Sequence, residues 1–261
     1  FLNSLVREDP INIDRLNYLI LDSNRSGAVE YGKIDVQRII QNLLIVDHTI
    51  TLYPKAQDAF VRFVEAYSHM YKSVYLHRIS AGADTHLALC MKNAVEKNSF
   101  FKKLLNPTMD IILSLYDDVI IHELENTPFQ GKEKKLFEDF LARKILTIAY
   151  ETTGNELADT IDSIGNVDVF IQTIREKAKV PKNTIIVITM VDEKRAIKPP
   201  ITMDMLKRMF PQSPDDSRSS NIDYNLLTSS ILRSIRTHRV YTEKNEVIRK
   251  KIEKAVKSLL E

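Results

Sequence analysis

Between Pro54 and about Arg78 the chain repeats apolar side chains at helical spacing, and no other stretch restricts the possible folds as tightly. Phe60, Phe63, Val64, Tyr67, Met70, Tyr71, Val74 and Tyr75 fall on one stripe. A stripe this wide and aromatic has to be covered by a packed core. Pro54 suits the first turn, where its missing N–H would be unpaired in any case. The spacing therefore predicts one long core helix with shorter elements packed around it. The material for a core is present: 44% of the 261 residues are hydrophobic, with only six Gly and nine Pro. A chain of this length buries one large core or two modest ones.

A second periodic stretch lies nearer the amino terminus, from Asn12 to Asp22, and the turn-like Arg25-Ser26-Gly27 follows it. As a helix it places Asp14, Tyr18 and Asp22 one turn apart on one face and gathers Ile13, Leu16, Leu19 and Ile20 on the other. Acid, phenol and acid then share a face. An ordinary amphipathic helix with a solvated polar stripe has the same spacing.

Further elements follow from local pattern. Ile34 to Gln41 reads as a short helix, and Leu43–Val46 with Thr49–Leu52 reads as a two-stranded ribbon around Asp47-His48. Ala83–Lys97, Thr108–Leu124 and Lys132 to about Tyr150 read as helices. Beyond Thr152-Thr153-Gly154-Asn155 the pattern becomes mixed. Asn155 to about Ala178 is helical, Thr184–Met190 is the clearest strand, Pro199–Ser220 is rich in loop residues, and Asn245–Leu260 is a charged amphipathic helix. The expected architecture is mainly α-helical, with a helical core, a short β-ribbon and a smaller C-terminal α+β appendage. The boundary between the two domains is expected at 150/151.

The order of residues in the two periodic stretches resembles a known family. Ile13-Asp14-Arg15-Leu16-Asn17-Tyr18-Leu19, then Asp22 and Ser26-Gly27, then Tyr31-Gly32-Lys33-Ile34-Asp35, is similar to the last metal-site helix of the HD-domain phosphohydrolases. Within that superfamily it is nearest the deoxynucleoside triphosphate triphosphohydrolase branch. Ala66-Tyr67-Ser68-His69-Met70-Tyr71-Lys72-Ser73-Val74-Tyr75-Leu76-His77-Arg78 resembles a second block of the same branch. The resemblance implies an HD-domain-like helical core, with residues 1–150 the C-terminal part of a catalytic domain and 151–261 an accessory domain. It implies Asp14 as catalytic residue and metal ligand, and Arg15 near substrate phosphate. Tyr18 and Asp22 would contact the sugar, Tyr71 and Tyr75 would line the pocket, and His77 and Arg78 would lie close by.

Two departures from the family pattern stand out. Asn17 occupies a position usually held by Asp, and Tyr67 a position usually held by an Arg that grips the terminal phosphate. A phenol is one neutral donor, whereas guanidinium is a fixed charge with a planar fork. Either the substrate lacks that phosphate, or another cation supplies the charge, or the activity is lost. Core packing on the apolar stripe is the other reading of the three tyrosines, and for Tyr67 it explains the residue equally well.

The family's other metal ligands, a His and a later His-Asp pair, precede the opening helix. None of the six histidines here is followed by Asp. Phe1-Leu2-Asn3-Ser4-Leu5-Val6 reads like the end of a helix, so upstream sequence is expected; the remaining ligands would come from it or from a partner chain, and a divalent metal ion is expected only with a complete site. Asp117-Asp118 could be called paired carboxylates but read more simply as structural.

Charge and cysteine usage limit the remaining classes. Thirty-seven basic residues against 35 acidic leave a net charge of +2, which gives no reason to expect nucleic-acid or anionic-membrane binding. The basic run from Arg233 to Lys251 is interleaved with acids and reads as a solvated surface. Cys90 stands alone, so no intramolecular disulfide or multi-thiolate zinc site can form within this chain. No glycine-rich phosphate loop, nucleophile elbow or repeat is present. A cytoplasmic protein is expected, with a homo-oligomer implied by the resemblance. Two functions fit: a metal-dependent phosphohydrolase acting on a nucleotide, or a noncatalytic HD-like nucleotide-binding scaffold or regulatory subunit.

Overall fold

The computed structural model describes residues 13–46, 49–190 and 237–261. The expected loop-rich stretch Pro199–Ser220 lies outside them, as does the turn at Asp47-His48. The described chain is mainly helical, with a two-stranded ribbon and a three-stranded sheet. It divides into two compact units: the first comprises 1–77, 152–155 and 190–238, the second 78–151, 156–189 and 239–261. The division expected at 150/151 falls inside a strand.

The first unit begins with helix α1 (Ile13–Ser26), which buries Leu16 and Leu19 and leaves Ile13 exposed. Gly27, at φ +79, ends it in a conformation that a side chain would strain. Next comes a 3-10 turn, Val29–Gly32. A Cβ on Gly32 would sit 1.8 Å from Ser23 Oγ, so this close approach requires glycine. Helix α2 (Val36–Gln41) starts where the Asp35 side chain accepts from the Arg38 amide. Strands β1 (Leu43–Val46) and β2 (Thr49–Leu52) pair antiparallel, Leu43 opposite Leu52.

Helix α3 (Gln57–Met70) carries the apolar stripe and buries Phe60, Phe63, Val64, Tyr67 and Met70 against Leu16, Leu19, Ile39 and Leu52. Each such side chain contributes about 1.5–3 kcal/mol by leaving water. The helix expected to continue to Arg78 does not stay α-helical. Tyr71–Tyr75 forms a π-turn, closed by the Leu76 amide donating to the Tyr71 carbonyl at 2.7 Å, and the helix stops before Arg78.

The second unit opens with α4 (Arg78–Ala94), followed by the short helices α5 (Ser99–Lys103), α6 (Met109–Leu113) and α7 (Asp117–Glu125). The helix expected over Thr108–Leu124 is thus two helices, parted where Tyr116 becomes extended. Helix α8 (Gly131–Leu141) stops well short of Tyr150. Arg143 turns left-handed at φ 56, and the Lys144 amide donates to the Asp139 carbonyl while Arg143 donates to Phe140. This is the Schellman pattern of helix termination. The chain then runs as strand β3 (Thr147–Thr152), whose alternating Thr147, Ala149 and Ile148, Tyr150 suit a pleated surface.

Helices α9 (Glu156–Ile164) and α10 (Val167–Ala178), expected as one, are separated by Gly165 at φ +120, and Asn166 caps the second. Strand β4 (Ile186–Met190), strand β5 (His238–Thr242) and helix α11 (Glu246–Leu260) complete the unit. The sheet order is β3-β5-β4, and β5 is buried along its whole length. Arg239 of β5 is ion-paired with Glu151 of β3, and Thr242 Oγ1 donates to the Ile185 carbonyl at 2.8 Å. A separate core of Cys90, Phe101, Leu124, Leu136 and Phe137 fills this unit. Among the described residues no helix is long and apolar enough to cross a membrane.

Candidate functional site

Helix α1 and the π-turn that ends α3 bring two distant pieces of sequence together in the first unit. Tyr75 Oη donates to Asp22 Oδ2 at 2.7 Å across 53 residues. Burial, and then the bond to this carboxylate, raise the Tyr75 pKa far above that of an ordinary phenol. Tyr75 is therefore a fixed donor throughout the physiological range. Its ring packs edge-on against Tyr18, with centroids 6.1 Å apart, and against Tyr71 at 5.0 Å.

Tyr71 stacks in turn on Tyr67, with centroids 4.4 Å apart and planes 25° from parallel. Tyr67 is only 2% exposed, and burial followed by its hydrogen bond to Tyr71 raises its pKa strongly. The Arg15 guanidinium lies over the Tyr67 ring, 5.1 Å from its centroid, a cation–π arrangement. Tyr18 is raised by burial and pulled partly back by the charge of Arg15 and its hydrogen bond. Four phenols, one guanidinium and one carboxylate thus form a continuous aromatic and polar cluster.

The sequence-derived candidates divide accordingly. Arg15, Tyr18, Asp22, Tyr67, Tyr71 and Tyr75 are brought together. Asp14 lies exposed in the first turn of α1, and His77 is half-buried, its amide donating to the Val74 carbonyl. Arg78 is exposed at the start of α4, in the second unit. One feature beside the cluster escaped the sequence reading: Tyr31 stacks on His69 with ring centroids 4.9 Å apart and planes 10° from parallel. Tyr31 belongs to the stretch Tyr31-Gly32-Lys33-Ile34-Asp35, yet nothing in local spacing ties it to His69. The π-turn was equally hidden, because its apolar pattern is that of an α-helix.

A divalent metal needs about three protein donors in a catalytic site. Among the described residues no group of three His, Cys, Asp or Glu side chains is placed to hold one. The described donors do not fit a complete metal centre, and Asp14 is the single candidate ligand.

Several known proteins resemble this chain. The family model described as HD associated region matches residues 34–207. A crystal structure of a hypothetical protein from Aquifex aeolicus is similar over 100% of this chain and 60% of its own, with 22% identity and a TM-score of 0.61. A phosphohydrolase from Bacteroides thetaiotaomicron VPI-5482 is similar over 90% of this chain and 61% of its own, with 16% identity and a TM-score of 0.54. At these identities the likeness is one of fold, and the chain spans about three fifths of the length of either structure. No curated protein matches it. The helical core with its ribbon is HD-domain-like, and the family match runs through both compact units and covers well over half of the residues. The protein therefore belongs to the HD associated region family of the HD-domain superfamily.

Proposed function

We propose that this protein is a metal-dependent phosphohydrolase acting on a nucleotide, nearest the deoxynucleoside triphosphate triphosphohydrolase branch, and that the tyrosine cluster forms its substrate-facing wall. The observation that carries the reading is the Tyr75–Asp22 hydrogen bond, which joins the two sequence blocks that resemble that branch. In this reading Tyr71 and Tyr75 pack against the nucleotide. Asp22, held by Tyr75, and Tyr18 present polar atoms to the sugar. Arg15, stacked on Tyr67, supplies the positive charge toward phosphate that the family places at the Tyr67 position. His77 flanks the pocket. Asp14 is one ligand of a divalent metal whose remaining donors lie outside the described residues. A cytoplasmic homo-oligomer belongs to the same proposal.

The test is direct. The protein is incubated with each deoxynucleoside and ribonucleoside triphosphate in Mg²⁺ or Mn²⁺, and released phosphate, pyrophosphate and triphosphate are resolved by ion-exchange chromatography. One of these products is expected from at least one nucleotide, with turnover lost in Asp14→Ala. Asp22→Asn is expected to weaken nucleotide use by about tenfold, as loss of a charge-assisted hydrogen bond does. Turnover unchanged in Asp14→Ala would overturn the reading. A noncatalytic nucleotide-binding scaffold or regulatory subunit is the second reading. It is favoured by the burial of Tyr67 where a phosphate-gripping Arg is usual, and nucleotide binding without turnover would support it.

A further inference from the structure

The second unit contains a cavity of about 440 Å³ that shares no residue with the tyrosine cluster. Its walls come from α8 and the turn after it, from the segment leading into β4, and from the turn between β5 and α11. Lys132, Lys135, Lys144 and Lys244 line it, against the two carboxylates Asp139 and Glu243. The cations are not equivalent. Lys132 Nζ donates to the Asn183 carbonyl at 3.2 Å, and Lys144 lies 3.9 Å from Asp139. Lys135 and Lys244 have no ion-pair or hydrogen-bond partner among the described residues.

His86 closes the cavity from below. It is 1% exposed, and its Nε2 lies 2.9 Å from the Leu136 carbonyl. Because a carbonyl only accepts, Nε2 carries the proton and Nδ1 is left as an acceptor. Nδ1 is buried without a hydrogen-bond partner among the described residues. Burial lowers the His86 pKa, so the floor contributes no charge near neutral pH. At the rim, the Asn245 side chain accepts from the Val247 and Ile248 amides and so already occupies the amino-terminal donors of α11. The attraction for a ligand therefore comes from the ammonium groups rather than from the helix end.

We infer that this lysine-lined cavity binds a small, multiply charged phosphate compound, with Lys135 and Lys244 as its principal cationic contacts. Two ammonium groups without partners among the described residues, beside a pocket of ligand size, attract a dense anionic charge. Lysine binds phosphate as a point charge and needs no planar fork. A pyrophosphate group spreads its charge over several oxygens and can meet more than one ammonium at once.

Inorganic pyrophosphate is the probe, titrated calorimetrically into the full chain without added metal. Saturable binding at one site is expected, about tenfold weaker or more in Lys135→Ala and in Lys244→Ala, as loss of a charge-assisted contact gives. Both lysines are exposed, so the variants keep the fold, and an unchanged circular dichroism spectrum and melting temperature confirm it. Arg15→Ala is expected to bind pyrophosphate as the native chain does, which separates this cavity from the proposed nucleotide site. Absence of binding, affinity unchanged in both lysine variants, or affinity lost in Arg15→Ala instead would each overturn the inference.

Discussion

His86 illustrates how one buried side chain couples to pH. Its imidazole is almost wholly withdrawn from water, and burial holds its folded pKa below the usual histidine value near 6.5, with the Leu136 carbonyl opposing in part. Above that usual value both folded and unfolded states are neutral at His86, and its contribution to stability is fully present. As pH falls through 6.5 the unfolded chain takes up a proton that the folded chain refuses, so stability drops until the lower folded pKa is reached. One proton sets the upper bound of that slope at about 1.4 kcal/mol per pH unit. Urea unfolding at pH 7.5 and 5.5 is expected to show the loss, and the His86 ring-proton resonances are expected to titrate below the usual histidine value. Cys90 is a simpler case, since burial pushes its thiol up to about 12 and makes it a core side chain rather than a nucleophile. Spacing identified Tyr67 as part of a buried stripe. That its ring meets both Tyr71 and the Arg15 guanidinium was not legible, because the contact with Arg15 spans some fifty residues of chain.

Among the elements, those specified by local chemistry were the readable ones. Asn245 before an amphipathic run gives α11, and the structure shows its side chain accepting from two amides at 3.1 and 3.2 Å. Asn245→Ala is expected to destabilise the chain by about 1 kcal/mol in urea unfolding, whereas Asn245→Asp keeps an acceptor and most of that stability. The ribbon β1–β2 was equally legible from two short runs rich in apolar and β-branched residues on either side of Asp47-His48. Strand β3 was not. Residues 132–141 form a true helix, and its stop depends on Arg143 adopting a left-handed conformation that no glycine advertises. The strand also needs β5 beside it, nearly ninety residues further along at the Glu151–Arg239 ion pair. Lys179 ends α10 in the same left-handed way, at φ 50. At the end of α3 the π-turn displaces the register of Tyr71 and Tyr75, and π-turns recur at functional sites. Here it accompanies the Tyr75–Asp22 bond.

At the scale of the whole molecule, each compact unit is held by its own buried core. Phe63 is fully buried in the first core, packed among the side chains of α1, α2 and β2. Phe63→Ala is expected to cost about 3–5 kcal/mol, from lost transfer energy and the cavity left behind, and the measurement is the shift in the urea midpoint followed by far-ultraviolet circular dichroism. A change below about 1 kcal/mol would contradict the assignment of Phe63 to the core. By itself the amino-acid sequence determined the helical class, the apolar stripe of α3, the charged amphipathic helix α11 and the polar face of α1. Each of these follows from residue types within three or four positions of one another, where backbone geometry alone sets which side chains are neighbours. Only the tertiary structure decided that β5 is the buried centre of a sheet, that Tyr75 reaches Asp22, and that lysines from α8 and from the turn before α11 face one cavity. Those contacts join residues more than fifty positions apart, and what places them is the competition of all buried surfaces for one packing, which no local period records.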